Sequence, residues 1–179
     1  MSTTKLHILD QELDITLILF KNVVNSKDLL ESYKKSMNDN ICYVNDFFLL
    51  LDSNLVYNEN HILHSIYRAH HNFQSKKRIT KNIFLEILFL LSPHENINEC
   101  LKQYQIKNDS SSVIYVGINI SKDQVDMFIK SVQGDQTDFN ELPFLHDREK
   151  ILENFKCDNM DNLERFIYHN IASKKINLS

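Results

Sequence analysis

Four histidines lie close together in this chain, His61, His64, His70 and His71. Imidazole is the side chain best suited to bind a metal or move a proton near neutral pH. The apolar spacing around them puts His61, His64 and His71 on one helix, with His64 and His71, seven apart, on one face. Neither a His-Glu-x-x-His pattern nor a Cys/His ligand spacing completes a metal set. They read as surface or boundary histidines, and no metal is expected. The cysteines, Cys42, Cys100 and Cys157, are widely spaced and form no Cys-x-x-Cys pair. Cys100 falls on the apolar face of its helix and reads as a small core residue. Cys42 and Cys157 have no base signature beside them. No Gly-x-Ser-x-Gly elbow occurs, and Asp10, Glu12 and Asp14 read as solvated charges at a turn. With neither a nucleophile nor an acid–base pair emerging, the chain is expected not to be an enzyme and to need no cofactor.

A second kind of chemistry is carried by the run Lys76, Lys77, Arg78 and Lys81. Charge runs are usually solvated loops. The same residues could contact phosphates and release their condensed counterions. Phe73, Ile79 or Phe84 would then offer an apolar surface to an unpaired base. Sequence alone leaves both readings open.

Composition limits what else the chain can do. It has 179 residues and a formal net charge of −4, so it is no general polyanion binder. Apolar residues at 42% suffice for a core, and no apolar run reaches the length needed to span a bilayer. There are only two glycines, Gly117 and Gly134, too few for a glycine-rich phosphate loop. The N-terminal residues lack a signal-peptide pattern. Free thiols fit a reducing compartment, here the cytoplasm and nucleus.

The elements that must position these residues follow from periodicity. Leu6–Leu9, Ile15–Phe20, Phe47–Leu51 and Val113–Ile120 read as strands, Ile15–Phe20 as one buried on both faces. Ser26 can cap a helix with Leu29, Leu30, Tyr33 and Met37 inward. Asn58 starts a longer helix whose buried face is Ile62, Leu63, Ile66, Tyr67 and Phe73. Thr80 or Asn82 can cap a very apolar element, Ile83 to Leu91, which Ser92-Pro93 ends; periodicity alone does not settle helix against strand there, and a buried helix is the favoured reading. Asn96 opens the next helix. Ser121 with Gln124 forms a capping box. Asp147 and Asp158 can cap two final helices, the last lined by Leu163, Phe166, Ile167 and Ile171, with Lys174 and Lys175 suited to its C-terminal dipole. The expected fold is α+β, a small, mostly antiparallel sheet covered by several helices in a single domain spanning 1–179.

Several segments taken together resemble a known family. Lys81-Asn82-Ile83-x-x-Glu86-Ile87-Leu88-Phe89-x-Leu91-Ser92-Pro93, followed by Asn96-Ile97-x-Glu99-x-Leu101 and Ile106, is similar to the signature of the TPRKB family, the PRPK-binding subunit of the KEOPS (EKC) complex. Phe20-Lys21-Asn22-Val23 with Asn25 and Asp28-Leu29, Leu55-Val56 with Ser65-Ile66-Tyr67, and Val132-x-Gly134-x-Gln136 with Leu142 extend the likeness from about Leu13 to Leu142. The sequence departs from the family at Tyr104-Gln105-Ile106, where Phe-Gly-Ile is usual. Gln105 must end its helix without the left-handed turn a glycine supplies, or extend it. His94-Glu95 also replaces a more neutral loop.

The resemblance implies a non-catalytic subunit. The complex places a threonylcarbamoyl group on the tRNA adenosine beside the anticodon, with the chemistry in other subunits. The TPRKB-like subunit binds the N-lobe of a small PRPK-type kinase, supports it, and helps engage the unpaired 3′ CCA end of tRNA. Partners are thus the kinase, tRNA (weakly alone, more strongly in the complex) and, indirectly, the other subunits. Among motif-matched positions, Lys81 and Asn82 are the candidates for RNA contact, with Lys76, Lys77 and Arg78 added by charge alone. Leu163, Phe166 and Ile167 are the candidates for the kinase. The competing reading is a kinase-binding regulatory module with no RNA contact, favoured by the acidic net charge.

Overall fold

In the computed structural model, residues 1–38 and 46–175 are described, so Cys42 lies outside the described residues, as does the side chain of Met37. The chain divides into two compact units. The first comprises Met1–Ser53 and Gln105–Leu145, the second Asn54–Tyr104 and the chain from His146 on.

The first unit holds a five-stranded antiparallel sheet: β1 (Ser2–Ile8), β2 (Gln11–Lys21), β3 (Phe47–Asp52), β4 (Val113–Ile118) and β5 (Asp135–Thr137). The order is β1-β2-β4-β3. β4 occupies one edge of β2 along Ile15–Phe20, so β1 and β5 share the other edge, paired with its first and last portions. β4 and the Leu17–Phe20 portion of β2 are apolar without alternation and buried on both faces, whereas β2 alternates before that, with Leu13 and Ile15 buried and Asp14 exposed. Helices α1 (Ser26–Asn38) and α5 (Lys122–Ser131) bring Tyr33 and Phe128 onto a ring cluster with Phe20, Phe48 and Tyr115. The Ser121–Gln124 capping box forms as expected. Ser26 does not cap. It is the first residue of α1, and its hydroxyl donates to the Ser110 carbonyl. Glu12 and Asp14 lie on β2 rather than at a turn, and both pair with Lys5 across the hairpin. Gly134 is needed where it stands, because a Cβ there would come within 2.9 Å of the Lys21 carbonyl oxygen.

The second unit is helical: α2 (Glu59–Gln74), α3 (Ile83–Leu91), α4 (Ile97–Tyr104), α6 (Arg148–Phe155) and α7 (Met160–Ser173). α3 is apolar except for Glu86 and is packed by α2, α4 and α7. Asn58, Asn82 and Asp147 cap α2, α3 and α6. Asn159, not Asp158, caps α7, its oxygen accepting from Asn162 N–H at 3.2 Å. α4 stops at Tyr104 without a left-handed residue. Gln105 instead makes an antiparallel bridge to Leu51 in the first unit. The whole is the α+β arrangement expected from sequence. Among the described residues no helix is long and apolar enough to cross a membrane.

Candidate nucleic-acid interface

α2 ends on Ser75, whose N–H donates to the His71 carbonyl at 2.9 Å, and Lys76 follows with φ 57°, a left-handed turn. The chain then runs through the cationic stretch before α3 begins. Lys77 N–H donates to the Asn72 carbonyl at 2.8 Å, which folds the loop back onto the last turn of α2. Lys76, Lys77, Arg78 and Lys81 are exposed, and the Arg78 guanidinium lies 5.5 Å from the centroid of the Phe73 ring.

The centre of this loop is Glu86. Its side chain is fully buried on α3. Oε1 accepts from Asn72 Nδ2 at 2.9 Å, and Oε2 accepts from Thr80 N–H at 2.7 Å and the Thr80 hydroxyl at 2.8 Å. Ile79 N–H is shared between the two oxygens, at 3.1 and 3.0 Å. A carboxylate removed from water needs partners of this kind. The donors are the backbone and side chains of the loop itself.

The other end of α3 has the opposite requirement, since the last carbonyls of a helix have no partner inside it. His61 Nε2 hydrogen-bonds the Leu91 carbonyl at 2.9 Å, while its Nδ1 accepts from Tyr57 N–H at 3.3 Å. That pair of contacts fits the neutral ring, with the proton on Nε2. Burial agrees, pushing the pKa of His61 down to about 4. Lys174, just after α7, donates to the carbonyls of Phe89 and Ser92 and sits 3.9 Å from the centroid of the Phe89 ring. Asn170 Nδ2 adds a bond to Ser92 O at 3.1 Å. Burial lowers the Lys174 pKa to about 8.

Between the α2–α3 loop and the end of α7 lies an open cavity of about 420 Å³. Arg68 from α2, Lys77 and Arg78 from the loop, and Lys174 and Lys175 from beyond α7 line it, with Asn72 and Ile79 completing the wall. Among the described residues no carboxylate lines it, in a chain whose net charge is −4. Arg68 Nε is buried and meets no acceptor among the described residues.

The residues singled out from sequence are thus distributed unevenly. Lys77 and Arg78 line the cavity, whereas Lys76 and Lys81 are exposed but not part of its wall. Asn82 is half-buried and its side-chain oxygen is taken by Leu85 N–H, 2.9 Å away, as the cap of α3. Arg68, Lys174 and Lys175 were not grouped with the run by sequence, because they join it only through the packing of α2 and α7. Of the three kinase candidates, Leu163 and Ile167 are wholly buried, while Phe166 is 45% exposed. Phe166 shares the outer face of α7 with Asn162, Arg165 and His169, at helical spacing, around a second cavity of about 420 Å³. Tyr67, expected inside, is exposed. His61 and His70, expected at the surface, are buried. Cys100 and Cys157 are buried, and burial raises the Cys100 thiol above its usual range. Among the described residues no three His, Cys, Asp or Glu side chains converge as a metal site.

Fold and surface together describe a small α+β protein whose helical unit lines one cavity with five cationic side chains. A family model described as kinase binding protein CGI-121 matches residues 20–175, and the chain belongs to that family. It is 26% identical to the EKC/KEOPS complex subunit CGI121 of Eremothecium gossypii, over 86% of this chain and 88% of that one. It is 29% identical to the EKC/KEOPS complex subunit TPRKB of Danio rerio, over 81% of this chain and 79% of the other. A fission-yeast relative, the EKC/KEOPS complex subunit cgi121 of Schizosaccharomyces pombe, is 23% identical over 82% of this chain and 84% of its own length.

Proposed function

We propose that this chain is a non-catalytic subunit of an EKC/KEOPS assembly. In it, the chain binds and supports the PRPK-type kinase and helps engage the single-stranded 3′ CCA end of tRNA during threonylcarbamoyl modification. The names of the relatives support membership of the assembly, and the family description supports the kinase. The RNA contact rests on one observation, the cavity lined by Arg68, Lys77, Arg78, Lys174 and Lys175.

A single-stranded end offers phosphates at close spacing and unstacked bases. The cavity offers cations from three separate segments, an apolar wall at Ile79, and an arginine Nε that the fold leaves unspent. The acidic net charge means that the chain alone holds RNA weakly, and neighbouring subunits must add contacts along the same strand. The kinase is best placed on the outer face of α7, where Phe166 is the apolar anchor and Arg165 the charged neighbour. Leu163 and Ile167 serve that surface by fixing the helix from within.

The test is to assemble the chain with a PRPK-type kinase and measure binding of a tRNA with and without its 3′ CCA. Co-purification with the kinase, and weaker binding of the shortened tRNA, are the expected results. Kinase binding with equal affinity for both tRNAs would leave the second reading, a kinase-binding module without RNA contact. Absence of any kinase complex would remove both.

A further inference from the structure

We propose that Glu86 is the positioning residue of the RNA-binding loop: it touches no RNA itself but fixes the backbone that aims Lys77 and Arg78 into the cavity. The inference rests on the RNA contact proposed above and names the device that makes it. Lys77 and Arg78 are clamped from both sides. Upstream, Lys77 N–H is tied to the Asn72 carbonyl. Downstream, the N–H groups of Ile79 and Thr80 are tied to Glu86. Asn72 closes the circuit, because its side chain donates to the same carboxylate while it and Ile79 form part of the cavity wall.

Among the described residues, Ile79 N–H and Thr80 N–H have no acceptor other than Glu86. An amide at position 86 is a weaker substitute for the carboxylate. It keeps one neutral acceptor oxygen in place of two charged ones: an NH2 at Oε2 would face the Thr80 donors, and one at Oε1 takes the second acceptor from Ile79 N–H and is met by Asn72 only if that amide also turns over. Two exposed cations on an unrestrained loop would still attract RNA. Held in place, they meet a phosphate together with Arg68 and Lys175, without the entropy of ordering four long side chains on a moving backbone.

The experiment uses the full chain assembled with its kinase and compares wild type, Glu86→Gln and Thr80→Val. The first readout is backbone amide exchange at Ile79 and Thr80, which needs no RNA. The second is affinity for a single-stranded RNA oligonucleotide ending in CCA, measured against salt. Glu86→Gln is expected to speed exchange at both amides by about tenfold or more while the amides of α3 stay protected. It should also lower the salt slope by about 0.7 for each phosphate no longer met by a placed cation. Thr80→Val removes one donor to the carboxylate and should shift both readouts in the same direction by less.

Unchanged exchange at Ile79 and Thr80 in Glu86→Gln overturns the proposal. So does weaker RNA binding with an unchanged slope, since that is loss of folded protein rather than loss of aim. If Glu86→Gln does not assemble with the kinase, Thr80→Val decides on the same two readouts. If wild type binds no RNA at any salt, the RNA contact itself fails, while the exchange readout still reports whether Glu86 holds the loop.

Discussion

The two ends of α3 are satisfied by different chemistries, and the contrast separates what holds this protein together from what it presents. At the C-terminal end, His61, Asn170 and Lys174 reach in from α2, α7 and the residue after α7 to cap the carbonyls of Phe89, Leu91 and Ser92. These are donors spent inside the core. At the N-terminal end the polarity is reversed. A buried acceptor, Glu86, collects donors from a loop whose cations remain outside. One end closes the unit, and the other ties down a surface. A buried helix must have its free backbone groups met by neighbouring groups, and the buried carboxylate on α3 must be met in the same way. Here the caps also decide where the charges go.

Acid should disturb the closed end through His61. His61 there, and His70 on the stretch of α2 that leads to Asn72 and the open end, both have pKa values lowered to about 4 by burial, against 6.5 in the unfolded chain. Between those values the unfolded chain takes up protons that the folded chain refuses. Stability is therefore full above pH 6.5 and falls as pH drops towards 4, by about 3 kcal/mol for each histidine at about 1.4 kcal/mol per unit. Denaturant titrations from pH 7.5 to 4.5 measure it. His61→Gln keeps a donor for Leu91 O and should remove a large share of the acid-induced loss. An acid response identical to wild type would mean that the buried ring is not the source.

Lys174 belongs to the same end but responds at the opposite extreme of pH. Its pKa is about 8 when folded and 10.5 when unfolded. The folded chain releases that proton first, so stability rises as pH climbs from 8 to 10.5, by about 3 kcal/mol. Lys174→Met, which keeps the stem but has no proton to lose, should flatten the rise. An equally steep rise in the variant would place the effect elsewhere.

The open end should cost less to damage. Glu86→Gln leaves the buried donors of the loop one neutral acceptor oxygen in place of two charged ones, with an expected loss of about 1–3 kcal/mol in thermal or denaturant unfolding. Its larger signature should be the local exchange at Ile79 and Thr80. A global loss with no local change would make the N-terminal end no different in kind from the C-terminal one.

The smallest effect on stability is expected on the outer face of α7. Phe166→Glu removes an exposed ring, so unfolding should shift by less than about 0.5 kcal/mol while kinase co-purification is lost. Leu163→Ala on the same helix should do the reverse, costing about 2–5 kcal/mol because it opens a hole in the core. Kinase binding unchanged in Phe166→Glu would move the interface off this helix.

What could be read from sequence was mainly what is decided locally. The bounds of α3 and the caps Asn58, Asp147 and Ser121 were legible because each depends on residues within a turn of one another, and Asn82 is the one of the two candidates, Thr80 and Asn82, that caps α3. The double burial of β2 over Leu17–Phe20 was legible from the nearly continuous apolar run Ile15–Phe20. The site was only half legible. Lys77 and Arg78 were visible as charge, but nothing near them in sequence pointed to Arg68, or to Lys174 and Lys175 nearly 100 residues on. Glu86 stood in the family signature with no role attached, because its partners are backbone N–H groups that no side-chain pattern reveals. The histidines misled for a related reason. A buried imidazole is made acceptable by a carbonyl from another helix, and the helical period of α2 does not show that carbonyl. Phe166 misled in the other direction, since an apolar stripe does not distinguish its buried centre from its exposed margin.

The most direct measurement is the salt dependence of tRNA binding by the kinase-bound chain, for wild type and for Lys77→Glu with Arg78→Glu. If the cavity holds the RNA end, the double variant binds more weakly and its plot of log affinity against log salt is shallower by about 1.4, the contribution of two single-strand phosphates. An unchanged slope, with the kinase still bound, would contradict the assignment of this cavity to RNA.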